Sequence, residues 1–144
     1  FYLFKDPVWL ANLTNRHKSA PSVLFGMDVT PESLPDDVAT EAWKMFDHDP
    51  RAALGLLYRA SLTQLIYQYD LPLRNGHTEG DVLALTAKQA SVVYSYMDTL
   101  TRYWSMLAYG HTLPPQEAKS ILCKGYRQNF PANNSNTQQG ETYA

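Results

Sequence analysis

The residues in this chain that carry chemistry are few and scattered. Four histidines, His17, His48, His77 and His111, are spread along 144 residues, and none belongs to an HExxH-type pair. A metal site needs His, Cys, Asp or Glu gathered at defined spacing. The densest such group, Asp47-His48-Asp49, sits between two helical patterns and reads as a capping turn. A nucleophile needs a base and an orienting group. GxSxG, Walker and glycine-rich phosphate-loop patterns are absent. The single cysteine, Cys123, has only Lys124 as a cationic neighbour and reads as a packing residue rather than a reactive thiol. The expectation is a non-enzyme with no catalytic residue, no cofactor and no metal.

Two arginines are placed oddly for a plain core. Arg59 follows Tyr58 beside an apolar stripe, and Arg102 lies beside another. A buried guanidinium must be hydrogen-bonded, and acids such as Glu79, Asp81 and Asp98 are available. Two readings stay open. One is an inter-helix salt bridge that fixes the loop at Thr78. The other is a polar notch that recognises a partner peptide or an anion. The candidate cluster is Tyr58, Arg59, Thr78, Glu79, Asp81 and Arg102.

These side chains must be positioned by helices, because the periodicity is helical throughout and no strand pattern stands out. Val23-Leu24-Phe25 reads as a short apolar plug, and Thr30-Pro31-Glu32 as about one helical turn. A first helix is predicted from Pro35-Asp36 to Phe46 on Val38, Ala42, Met45 and Phe46. Asp49 then caps a second, with Pro50 in its first turn. That helix, 50–69, carries the strongest signal. Leu54, Leu57, Tyr58, Ser61, Leu62, Leu65, Ile66 and Tyr69 recur at spacings of three and four. Thr78 and Asp81 have the spacing of a capping box for a short helix with Val82, Leu83 and Leu85. A fourth helix is predicted over 87–109, from Val93, Tyr96, Met97, Leu100, Tyr103, Trp104 and Leu107, with Gly110 closing it. After Leu113-Pro114-Pro115 a last helix shows Ala118, Ile121, Leu122 and Tyr126 on its apolar side. The fold class is all-α: a single-domain bundle of about five helices arranged as αα-hairpins. A start resembling a tetratricopeptide repeat at Asp49-Pro50-Arg51-Ala52-Ala53 has no internal period of about 34 residues behind it.

Composition agrees. Apolar residues make up 44%, enough for a globular core, and a net charge of −2 argues against a general nucleic-acid binder. A domain of this size buries roughly 68–70% of its unfolded surface without staples. Residues 130–144, rich in Asn, Gln, Ser and Thr, read as a disordered tail. At the other end, aromatic Phe1-Tyr2-Leu3-Phe4 and Trp9 precede the basic cluster Arg16-His17-Lys18. Residues alone leave two readings: an amphipathic helix, or the exit of a membrane span into the cytoplasm. No run of about 18 apolar residues occurs in the chain itself.

A set of short motifs then points to a family. They are Leu34-Pro35-Asp36-Asp37-Val38-Ala39, Asp49-Pro50-Arg51-Ala52-Ala53-Leu54, Leu56-Leu57-Tyr58-Arg59-Ala60, Leu71-Pro72-Leu73, His77-Thr78-Glu79-Gly80-Asp81, Leu100-Thr101-Arg102 and Ala108-Tyr109-Gly110. In this order and spacing the run, over about residues 24–128, resembles the bacterial domain of unknown function four-one-two-nine. The resemblance implies the C-terminal domain of a membrane protein, sometimes fused to a transglutaminase-like domain or encoded near MoxR-type AAA+ ATPases. It tips the N-terminal reading toward a span upstream of residue 1. Tyr58, Arg59, Thr78, Glu79 and Arg102 match its recurring positions, with no established catalytic role to carry over. No transglutaminase-like Cys-His-Asp set is present here.

The expected organisation is a juxtamembrane segment and linker over 1–23, a helical domain over 24–129 and the tail. The expected role is a non-catalytic protein-interaction module, cytoplasmic, on a bacterial inner-membrane protein linked to a MoxR-type system. Its partner would be a protein, with no nucleic acid. One alternative is a hydrolase or small-ligand domain with a site near Arg59, Thr78 and Glu79. Another is a structural cap on the membrane part.

Overall fold

The computed structural model describes residues 20–131. The expected juxtamembrane segment up to residue 19 and the expected tail from residue 132 on lie outside the described residues, while Phe130, expected to open that tail, is buried in the core at the end of the last helix.

The first described element is one that the periodicity missed. Strands β1 (Val23–Leu24) and β2 (Met27–Asp28) pair antiparallel, with Val23 opposite Asp28 and Leu24 opposite Met27. Two residues per strand are too few for alternation to register. The turn residues Phe25 and Gly26 have φ of 53° and 76°, the left-handed pair that matches strand twist in a two-residue hairpin. Glycine takes that conformation freely. Phe25 takes it at a cost, offset by its ring packing 5.9 Å from the ring of Tyr58. The expected apolar plug is real at Leu24, which is buried, and not at Val23, which is 48% exposed.

A single 3-10 turn follows at Pro31–Ser33, as expected. Helix α1 (Val38–Phe46) begins later than Pro35. Leu34, the residue before proline, is held extended at φ −89° and ψ 144°. Asp37 becomes the cap, its carboxylate accepting from the Thr40 amide at 3.2 Å. Helix α2 (Pro50–Tyr67) starts where predicted, with Asp49 Oδ1 accepting from the Ala52 amide at 3.0 Å. It stops two residues before Tyr69.

The stripe expected on α2 is buried along the helix, but so are Ala53, Leu56, Ala60 and Thr63 on other faces. A helix apolar nearly all round lies inside its neighbours. Accordingly α2 packs against α1, β2 and both later long helices. Burial of Leu54, Leu57, Leu62 and Leu65, all fully covered, is worth about 1.5–3 kcal/mol each.

Helix α3 (Glu79–Gln89) has the predicted capping box in full. Thr78 Oγ1 accepts from the Asp81 amide at 3.0 Å, and the Thr78 amide donates to Asp81 Oδ2 at 2.9 Å. The boundary that follows differs from expectation. Residues 87–89 belong to α3, the break falls at Ala90, and a 3-10 turn (Ser91–Val93) leads into α4 (Tyr94–Ala108). Lys88 and Gln89 are good helix formers, so propensity hides the break. Burial of Ala90 and Val93 in the core turns the chain there. At the far end Gly110 does close α4, donating to the Met106 carbonyl at 3.0 Å. The left-handed residue, however, is His111, at φ 55°.

Helix α5 (Gln116–Asn129) buries Ala118, Leu122, Cys123 and Tyr126. Ile121, expected on that side, is 50% exposed. The buried face of α5 is rotated toward Cys123, because α5 lies on α1 as well as on α2 and α4. The described residues thus form an all-α bundle of five helices with a small two-stranded hairpin at its edge.

Candidate functional site

The six polar residues singled out from sequence do not form one site. Arg59 reaches back to the hairpin and the turn after it. Its Nη1 donates to the Asp28 carbonyl at 3.2 Å and to Ser33 Oγ at 3.0 Å, and Nη2 to the Ser33 carbonyl at 3.5 Å. The expected acid partner is replaced by backbone and hydroxyl oxygens. Arg102 pairs with Asp98 one turn earlier on α4, on the helix exterior. Thr78 and Asp81 are taken up by the capping box. The expected salt bridge that would fix the Thr78 loop is therefore not made by either arginine, and the loop is held by its own cap.

Tyr58 and Glu79 do come close, in company that sequence did not supply. Glu79 Oε2 accepts from the Tyr109 hydroxyl at 2.6 Å, a bond that holds the Tyr109 phenol above its ordinary pKa. Burial pushes the Tyr58 phenol far above its ordinary range, and the nearby Glu79 carboxylate adds to this. The Thr101 hydroxyl beside it offsets part of the effect. Even so, Tyr58 Oη, Ser61 Oγ, Thr101 Oγ1 and Trp104 Nε1 are buried with no hydrogen-bond partner among the described residues. They line the seam between α2 and α4, where Tyr58 stacks on Trp104 at 5.7 Å and 14°. Gly55 lies against the Trp104 ring on the α2 side, where a Cβ would make an ordinary 3.6 Å contact. These four polar atoms are closed to solvent, while the outer side of the seam, at Gly55 and Trp104, borders an open hollow of about 480 Å³ shared with Met27, Met45 and Arg59.

A second opening lies elsewhere. A groove of about 670 Å³ opens between the Pro31–Val38 segment, the last turns of α2 and the end of α5. Its apolar lining includes Pro31, Leu34, Pro35, Tyr67, Tyr126 and Phe130. Its polar edge is Asp36, Asp37, Gln64 and Arg127. Each wall follows from a local cause. Proline at 31 and 35 keeps the first wall out of helix. The α5 wall is anchored by Phe130, whose ring meets those of Tyr69, Tyr96 and Tyr126 at 5.3–6.5 Å. Within the groove Gln64 Nε2 donates to Tyr126 Oη at 3.4 Å. Arg127 Nη2 bridges both oxygens of Asp37 at 3.3 Å and Thr40 Oγ1 at 2.5 Å. Asp36 is exposed and makes no ion pair among the described residues.

Of these lining residues the sequence singled out the Leu34–Ala39 motif, and it read Pro31 only as a helix start and Tyr126 only as a core-facing residue. They lie far apart along the chain, and only the proline and aromatic content of 31–35 and 126–131 hints at a shared surface. A smaller hollow of about 300 Å³ lies between α1 and α5, bordered by Trp43, Cys123 and Lys124. Lys119 sits 4.2 Å over the Trp43 ring and 3.2 Å from Asp47. Burial pushes the Cys123 thiol up to about 11, so it is protonated at neutral pH.

No group of three or more His, Cys, Asp or Glu able to hold a metal ion occurs among the described residues. Nor is any helix among them long and apolar enough to cross a membrane. Comparison with protein-family models, curated proteins and solved structures finds no match to this chain.

Proposed function

We propose that the chain is a non-catalytic helical docking module that presents the α1–α2–α5 groove to a protein partner. The observation that carries this reading is the groove itself. It is open and has the volume of a recognition site, with aromatic and proline walls and a few polar groups at its edge. Four of the polar residues singled out from sequence are meanwhile spent on structure: Arg59 on the hairpin, Thr78 and Asp81 on a cap, Arg102 on its own helix. The resemblance to the domain of unknown function four-one-two-nine adds a setting. On that reading the module belongs to a bacterial inner-membrane protein, faces the cytoplasm and meets a MoxR-type AAA+ ATPase system. The test is sedimentation of the purified chain with such an ATPase, beside affinity capture from solubilised inner membranes. A defined complex with the ATPase is the expected result. Free sedimentation of both, with no specific capture, would overturn the reading.

A structural-cap role has one observation in its favour. Arg59 clamps the hairpin and the Ser33 turn onto α2. If that were the whole role, Arg59→Ala would lower stability and change activity in the parent protein only in proportion to protein level. The hydrolase or small-ligand alternative draws less support, because Arg59, Thr78 and Glu79 bond to separate partners.

A further inference from the structure

We infer that the groove takes an extended, proline-rich peptide carrying a basic residue, a conclusion that rests on the docking reading and names its ligand. Three observations lead there. The first is the lining. The half-buried Tyr67 and the buried Tyr126 and Phe130 line the same groove of about 670 Å³ as Pro31, Leu34 and Pro35. Polyproline II segments settle on aromatic-lined grooves because their rings pack flat and their backbone is already ordered. A flexible or helical peptide would spend more entropy on the same surface.

The second is the hydrogen-bonding supply. A polyproline II backbone has carbonyls to satisfy and few amides to donate. A fitting site must therefore offer donors. Gln64 Nε2 donates to Tyr126 Oη at 3.4 Å within the groove lining. The Gln64 amide keeps a second proton, and the Tyr126 hydroxyl, which accepts in that bond, keeps its own. The half-buried Gln64 amide thus keeps a donor for a ligand carbonyl, oriented by the buried Tyr126 hydroxyl.

The third is charge. The lining holds two carboxylates, Asp36 and Asp37, and one guanidinium, Arg127. Arg127 is committed to Asp37, which leaves Asp36 exposed with no ion pair. The groove edge is therefore net acidic at the Asp36 end, where the ligand's basic residue belongs. An acidic peptide would meet an uncompensated carboxylate there.

The experiment is a fluorescence-anisotropy titration with a labelled polyproline peptide ending in arginine, paired with NMR shift mapping. The controls are polyproline ending in glutamate and a Gly/Ser peptide ending in arginine. Saturable binding of the first peptide alone is expected, with shifts confined to residues 31–38, 63–67 and 126–131. Asp36→Lys should weaken it about fivefold, the scale of one exposed ion pair, and Gln64→Ala by a similar factor through the lost donor. The Asp36 side chain makes no hydrogen bond or ion pair among the described residues, so the fold should survive, and circular dichroism checks it; Asp36→Asn serves as a milder second variant. Equal binding of all three peptides, no binding at all, or shifts elsewhere would overturn the inference. An ATPase complex that forms and ignores both groove substitutions would remove this inference alone. Failure of the unsubstituted chain to form any such complex would instead remove the docking reading beneath it.

Discussion

At Tyr58 the ring and the hydroxyl have opposite consequences. The ring stacks on Trp104 and meets Phe25, and so holds the hairpin to the core. The hydroxyl is buried with no partner among the described residues. A buried hydroxyl left unbonded costs about 1–3 kcal/mol, so removing it while keeping the ring relieves a penalty. Tyr58→Phe should therefore leave stability unchanged or raise it by about 1 kcal/mol, measured as the urea midpoint at constant slope. A fall of that size would show that the hydroxyl is satisfied after all. Cys123 makes the complementary case. Its thiol, raised to about 11 by burial, stays protonated at pH 8. Ellman's reagent should react slowly with the native chain and promptly once urea unfolds it. Prompt reaction in the native state would contradict the packing of α5.

Among the elements, α5 depends on a glycine inside it. A Cβ on Gly125 would sit 2.7 Å from two ring atoms of Tyr96. That ring is buried, and its hydroxyl donates to the Leu122 carbonyl at 2.8 Å, so it has little freedom to yield. Replacing glycine in a helix by alanine gains about 1 kcal/mol in propensity. Overpacking a core costs about 1–3 kcal/mol. The second effect should win here, and Gly125→Ala should lower the melting temperature. Gly80 in α3 is the control, since a Cβ there would meet only Thr78 Oγ1 at an ordinary 3.6 Å. Gly80→Ala should be neutral or stabilising. If both variants behaved alike, close approach of α5 to Tyr96 would not be the reason for Gly125.

Across the whole molecule, three aspartates couple the fold to pH. Asp28, Asp37 and Asp81 all sit below the ordinary carboxylate value of 3.8. Hydrogen bonds from Thr30, Thr40 and Thr78, in that order, are the largest causes. Each carboxylate closes a junction: Asp28 the hairpin to the next turn, Asp37 the start of α1, Asp81 the start of α3. The folded pKa is lower than the unfolded one, so the charged form favours folding. That contribution is complete above 3.8 and is lost as pH falls through the lower folded values. Urea midpoints should therefore drop as pH goes below 3.8, and should drop less when all three are changed to Asn. Parallel pH profiles for the two proteins would assign the acid sensitivity to other groups.

The order, type and count of the helices follow from the chain itself. Local rules suffice for them: Asp49-Pro50 and Thr78-Asp81 are caps whose partners lie within one turn, and the Leu54–Ile66 run is apolar at helical spacing. What local rules do not contain is what lies across a helix. The break at Ala90 comes from burial, against good helix formers, and Phe25 is held left-handed by Tyr58 more than thirty residues away. Arg59 was legible as an arginine needing oxygens, and only the tertiary structure decided that a hairpin would supply them instead of Glu79 or Asp81. The groove is the extreme case. Pro31, Gln64 and Tyr126 become neighbours only when α1, α2 and α5 close on one another, because a surface shared by distant segments is encoded in how faces pack and not in any spacing along the chain.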